Sequence, residues 1–148
     1  CADFHKNTLP ELKKEFIDTG KVKMVFRFFP FNLPALRAGM VLECLPSDIR
    51  YEYMSALYEL QSKWVVKDSE KSNKELYKIM QSGGMKKEVF DKCIKDVALE
   101  KEILQGLIDA QNELNIKSTP SFVVNGTLIE GNKPIKDFRQ IIQKILSE

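Results

Sequence analysis

Histidine and tryptophan each occur once in this 148-residue sequence. A single imidazole with no further ligand cluster beside it excludes a histidine-based metal centre. Charge of one sign is missing as well: 23 Lys and Arg stand against 21 Asp and Glu, and the net +2 is too small for the electrostatic footprint of a nucleic-acid binder. Long apolar runs are absent. The longest, residues 24–36, is broken by Arg27, Pro30, Asn32 and Pro34 and falls short of the roughly 20 residues a membrane helix needs, so no stable membrane insertion is expected. Glycine and proline, at seven and six, are too few for collagen or mucin-like chains, and 43% hydrophobic residues with 30% charged exclude disorder. What is left is a globular chain sized for one domain, or one domain carrying an insertion.

Cysteine is scarce and odd in number. Cys1, Cys44 and Cys93 leave one over if two pair, and Cys1 is the one to suspect of reactivity. The sequence opens on that residue with neither Met nor a basic-then-apolar leader, so earlier residues are expected to have been removed by processing, cloning or disorder.

Residues 2–18 read as an amphipathic helix, with Phe4, Leu12 and Phe16 near one face and Lys6, Glu11, Lys13, Lys14 and Glu15 on the other. Pro10 should bend it or restart it after Thr8, a candidate N-cap, and Gly20 should end it. Residues 22–29 alternate like a strand that becomes apolar on both faces, and Pro30 and Pro34 stop it. Helical spacing then predicts helices over 35–45, 49–64, 72–81, 88–96 and 99–114, punctuated by Pro46, Gly83 and Gly84. The last quarter returns to strands. Residues 121–124 and 127–130 flank Asn125-Gly126, the dipeptide suited to a type I′ hairpin turn, and residues 136–146 predict a closing helix with Phe138, Ile141, Ile142 and Ile145 on one face. One strand and one hairpin are too little sheet for the surrounding helices.

Three stretches together carry a resemblance. Cys1-Ala2-Asp3-Phe4-His5 leads into Leu9-Pro10-Glu11-Leu12; residues 22–31 follow; Ser118-Thr119-Pro120-Ser121-Phe122-Val123-Val124-Asn125-Gly126 comes last. These closely resemble the DsbA-like thiol-disulfide oxidoreductases over nearly the whole chain. The most specific part is Thr119-Pro120 ahead of an apolar strand and Asn125-Gly126-Thr127-Leu128-Ile129-Glu130-Gly131; Ala35-Leu36-Arg37-Ala38 and Phe90-Asp91-Lys92-Cys93 add weaker support. The resemblance implies an α/β fold, thioredoxin-like and interrupted by an α-helical insertion subdomain. Residues 1–32 and 111–148 would form the thioredoxin-like part without its opening strand, and residues 33–110 the insertion. That opening strand would lie between residues 22–29 and 121–124. Its absence would leave unpaired backbone groups costing on the order of 1 to 3 kcal/mol each if buried, so about 20 or more upstream residues, or a neighbouring chain, are expected to supply it.

In that family a Cys-x-x-Cys motif sits where a strand meets a helix, and Cys1 matches its second, resolving cysteine. The first thiol is held as thiolate by the helix dipole and the second resolves the mixed disulfide, so a lone cysteine cannot complete the cycle. Cys1 is expected to be the more buried of the two. Thr119-Pro120 matches the cis-proline loop, whose ring shields the dithiol while the Thr119 backbone pairs with an extended substrate. An ordinary trans proline opening a strand is the alternative, since only about one X-Pro bond in twenty is cis. Cys44 and Cys93 either remain free thiols or form a structural disulfide worth roughly 3 to 4 kcal/mol. Phe26, Phe28, Phe29 and Phe31 read mainly as core. His5, one turn from Cys1, reads as an exposed or capping residue, and no metal is expected.

The resemblance thus implies an oxidoreductase that introduces or exchanges disulfides in exported, unfolded or reduced proteins of the periplasm. It would use no cofactor beyond its redox-active disulfide and would be reoxidised by a membrane partner. Two alternatives stay open: a thioredoxin-fold binding module or chaperone without redox turnover, and a glutathione-dependent isomerase of the related branch.

Overall fold

Proline and glycine punctuate the chain between its elements. The computed structural model describes residues 1–148, which separate into two compact units, residues 1–26 with 110–148 and residues 27–109.

In the first unit, α1 (Ala2–Asn7) gives way at Thr8 to α2 (Leu9–Leu12), because Pro10 has no N–H for the helical bond to the Lys6 carbonyl. Thr8 does not act as the expected cap. Its buried hydroxyl donates instead to the Lys133 carbonyl at 3.4 Å, a longer-range acceptor. The run ends in a π-helical turn (Lys13–Ile17), where the Asp18 N–H donates to the Lys13 carbonyl at 2.8 Å, and Gly20 leaves at φ 77°. Two antiparallel strands, β1 (Ser121–Val124) and β2 (Thr127–Glu130), pair from Ser121 opposite Glu130 to Val124 opposite Thr127. Asn125 and Gly126, at φ 45° and 88°, supply the two positive φ values that a two-residue type I′ turn requires. After the hairpin, α9 (Ile135–Leu146) turns Phe138 and Ile142 inward to pack with Phe4, Leu9, Leu12, Phe16 and Ile129. Arg139 on the same helix donates to Glu15 from two nitrogens and to Glu11 at 2.9 Å, tying α9 to the π-helical turn and to α2.

The strand expected over residues 22–29 is not formed. The sheet has two strands, β1 and β2, and residues 22–30 have no partner strand in it. The apolar alternation there was real, but a strand exists only where a ladder of N–H and C=O groups faces it. Val22 makes a single local bond, its N–H to the Phe16 carbonyl at 2.9 Å.

The second unit is helical. It contains α3 (Leu33–Glu43), α4 (Ser47–Glu59), α5 (Gln61–Trp64), α6 (Ser69–Gln81), α7 (Lys87–Ile94) and the beginning of α8 (Val97–Glu113). Asn32 and Asp68 cap α3 and α6 through their side chains, accepting from Ala35 and Lys71 at 2.9 and 2.8 Å. Val41, Leu42, Leu57, Trp64, Leu76, Met80 and Phe90 form the centre of the core. Cys44, at the end of α3, is joined by a disulfide to Cys93 on α7, with Cα atoms 6.4 Å apart. The unit begins at Arg27, ahead of the boundary expected at residue 32. The reason is Phe28, which packs on Leu36, Met40 and Ile103 and approaches Gly39 so closely that a Cβ there would lie 3.3 Å from its ring. Phe26 and Phe31, by contrast, are exposed.

Candidate active site

Cys1 is the N-cap residue of α1, and its carbonyl accepts the first helical bond, from the His5 N–H at 2.9 Å. Its thiol is free and exposed. The helix turns Phe4 inward, and Cys1 stands at the N-terminal end outside that packing. His5 is partly buried rather than exposed, and loss of water lowers its pKa, favouring the neutral imidazole.

Phe4 links this helix to the hairpin. Its ring centroid lies 4.5 Å from that of Phe122, and both rings pack on Phe138, at 5.6 and 4.9 Å. Phe122 is two residues beyond the Thr119–Pro120 peptide bond, which is cis. Thr119 is exposed and Pro120 half-buried. The loop around them is held from both sides: Ser121 Oγ donates to the Ser118 carbonyl at 2.6 Å, and the Gly131 N–H donates to the Pro120 carbonyl at 2.8 Å.

Residues not singled out from sequence join these parts. The Asp3 carboxylate accepts from Asn7 Nδ2 at 2.6 Å and from Asn132 Nδ2. Asn132 follows Gly131, so the first turn of α1 and the Pro120 carbonyl are bound by consecutive residues of one loop. No local pattern signals Asp3 and Asn132 as a pair, since 129 positions separate them. Cys44 and Cys93 belong to the helical unit, where their sulfurs are bonded to each other.

The arrangement places a free thiol at the start of a short helix and packs that helix against the strand following an exposed X-Pro loop. The thioredoxin family model matches residues 1–144. The chain belongs to the thioredoxin family. Within that family its fold is DsbA-like. It resembles the crystal structure of alpha-DsbA1 from Wolbachia pipientis with a TM-score of 0.86 and 27% identity, over 97% of this chain and 78% of that one. A protein-disulfide isomerase from Novosphingobium aromaticivorans shares the fold at a TM-score of 0.84 and 22% identity, over 100% of this chain and 86% of that one. Among curated sequences, a Rickettsia felis protein provisionally named as a protein-disulfide oxidoreductase is 31% identical over 100% of this chain and 52% of its own length. A Bacillus cereus protein with the name disulfide bond formation protein D, also provisional, is 28% identical over 100% of this chain and 69% of its own. This thioredoxin-family chain therefore spans about half the length of the rickettsial relatives it matches.

Proposed function

We propose that the chain belongs to an exported thiol-disulfide oxidoreductase that works in the periplasm, with Cys1 as its resolving cysteine and Thr119-Pro120 as its substrate-pairing loop. The observation that carries this reading is the free Cys1 thiol at the start of α1, whose Phe4 packs 4.5 Å from Phe122 just beyond that loop. The names of the relatives add support.

The chemistry needs a second thiol, which the reading assigns to a cysteine three positions ahead of Cys1 in the complete protein. A substrate thiolate attacks the sulfur of that cysteine in the enzyme disulfide, forming a mixed disulfide and expelling Cys1 as thiolate. A second substrate thiolate then attacks the substrate sulfur of the mixed disulfide and releases the enzyme cysteine. Two electrons and two protons pass from substrate to enzyme, and a membrane oxidant returns the enzyme to its disulfide form. Thr119, exposed, offers its main chain to an extended segment of the substrate, so recognition rests on backbone pairing and stays tolerant of sequence.

The test is oxidation of a reduced two-cysteine peptide by the complete protein. Turnover is expected, with Cys1→Ser abolishing it and accumulating a mixed disulfide with an oxidised peptide on a non-reducing gel. Absence of turnover in the unaltered protein overturns the reading. One feature favours a second function, retention of unfolded segments without exchange: Phe31 and Leu33 are 63% and 46% exposed beside a groove of about 250 Å³ that Leu36 and Leu104 also line. Binding of a cysteine-free apolar peptide by a complete protein lacking turnover would establish it.

A further inference from the structure

Between β2 and α9 lies a loop whose consecutive residues bind three different partners. Gly131, at φ 88°, donates its N–H to the Pro120 carbonyl at 2.8 Å. Asn132 donates its side-chain amide to Asp3 Oδ2. Lys133 offers its carbonyl to the Thr8 hydroxyl at 3.4 Å, and Pro134 then opens α9. The loop thus meets α1 near both ends while holding the proline loop by its main chain. Asp3 is doubly engaged, because its other oxygen accepts from Asn7 Nδ2 at 2.6 Å, one helical turn along.

We infer that the Asp3–Asn132 pair is a positioning device for disulfide exchange, setting where the Cys1 end of α1 stands relative to Thr119-Pro120. The inference rests on the proposed exchange reaction. Neither residue meets the substrate sulfur. The ring contacts of Phe4 with Phe122 and Phe138 hold the middle of α1 against the hairpin and α9, and the Thr8–Lys133 bond holds its C-terminal end. The Asp3 carboxylate adds the tie at the N-terminal turn, next to Cys1, through a loop that also carries the Gly131–Pro120 bond. In thiol exchange the attacking sulfur, the attacked sulfur and the leaving sulfur must align, so a small pivot at the helix start costs rate rather than binding. An acid at this place also suits the helix N-terminus, which explains why the carboxylate sits on the helix and the amide on the loop.

The complementarity can be reversed, and that supplies the test. In the complete protein, Asp3→Asn removes the acceptor charge, Asn132→Asp sets two carboxylates against each other, and Asp3→Asn with Asn132→Asp restores an amide–carboxylate pair in the opposite sense. Each single variant is expected to lower kcat for peptide oxidation roughly 10-fold at nearly unchanged KM, and the double variant to recover most of it. Circular dichroism and the thermal midpoint of every variant separate loss of alignment from loss of fold. Equal kcat in the single variants, a loss confined to KM, or a double variant as slow as the worse single one would overturn the inference. Failure of the unaltered protein to turn over is a different result, seen before any variant is made; it removes the exchange reading and this inference with it.

Discussion

The buried hydroxyl of Ser72 donates to the main-chain carbonyl of Trp64 at 2.7 Å, while the Trp64 indole N–H donates to the Leu57 carbonyl at 2.7 Å. Three helices, α4, α5 and α6, are therefore joined by two buried polar bonds at one aromatic residue. Ser72→Ala removes one of them. The Trp64 carbonyl keeps a second donor, the Val66 N–H at 3.0 Å, so the expected loss is at the lower end for a buried hydrogen bond, about 1 kcal/mol. Urea unfolding followed by the fluorescence of the single tryptophan measures it directly, and unchanged stability would show that the hydroxyl contributes nothing.

Gly83 has no room for a side chain. A Cβ there would lie 0.8 Å from the Tyr53 hydroxyl oxygen and 1.9 Å from its Cζ. Gly83→Ala is expected to cost about 1 to 3 kcal/mol through overpacking, with Tyr53 forced to move. Adding Tyr53→Ala should remove the clash, so the double variant is expected to be less destabilised than the sum of the two singles.

The Cys44–Cys93 disulfide closes a loop with a sequence separation of 49. Replacing both cysteines by alanine is expected to destabilise the protein by about 3 to 4 kcal/mol through the gain in unfolded-state entropy. Denaturant midpoints with and without reductant check this: reductant should lower the midpoint of the unaltered protein and leave that of the double variant unchanged.

Arg139 holds the Glu15 carboxylate below its ordinary pKa of 4.5, first through the side-chain hydrogen bond and then through its charge. Because the folded-state pKa is the lower one, the unfolded chain binds more protons as acid is added. The stabilisation is therefore fully present above about pH 4.5 and is lost as pH falls through the depressed folded value. Glu15→Gln is expected to lower stability modestly in the neutral range and to match the unaltered protein at the acid end, which flattens this limb. Since Glu15 and Arg139 are both open to water, added salt should weaken the difference. Thermal midpoints across pH at two salt concentrations report both effects.

Much of this architecture is written in local chemistry. The hairpin was legible because Asn125-Gly126 satisfies its own turn, and the strands on either side run over the residues expected. The helices of residues 33–113 were legible because a 3.6-residue apolar period and capping residues act within a few positions of each other, although the long helix expected over 49–64 is divided between α4 and α5 near Leu60. Residues 22–29 show where such reasoning stops, since their alternation describes the faces of a strand and says nothing of whether another strand lies alongside.

By itself the sequence determined which residues are turns, helices and apolar faces, and which cysteine stands at the head of a helix, because those properties depend on near neighbours. Tertiary structure alone decided that Cys44 and Cys93 meet, that Thr8 bonds to Lys133 rather than capping α2, and that Asp3 is held by Asn132. Each of these is a contact between positions far apart in the chain. Such contacts are set by how the helices and the hairpin pack, and no local periodicity encodes that packing.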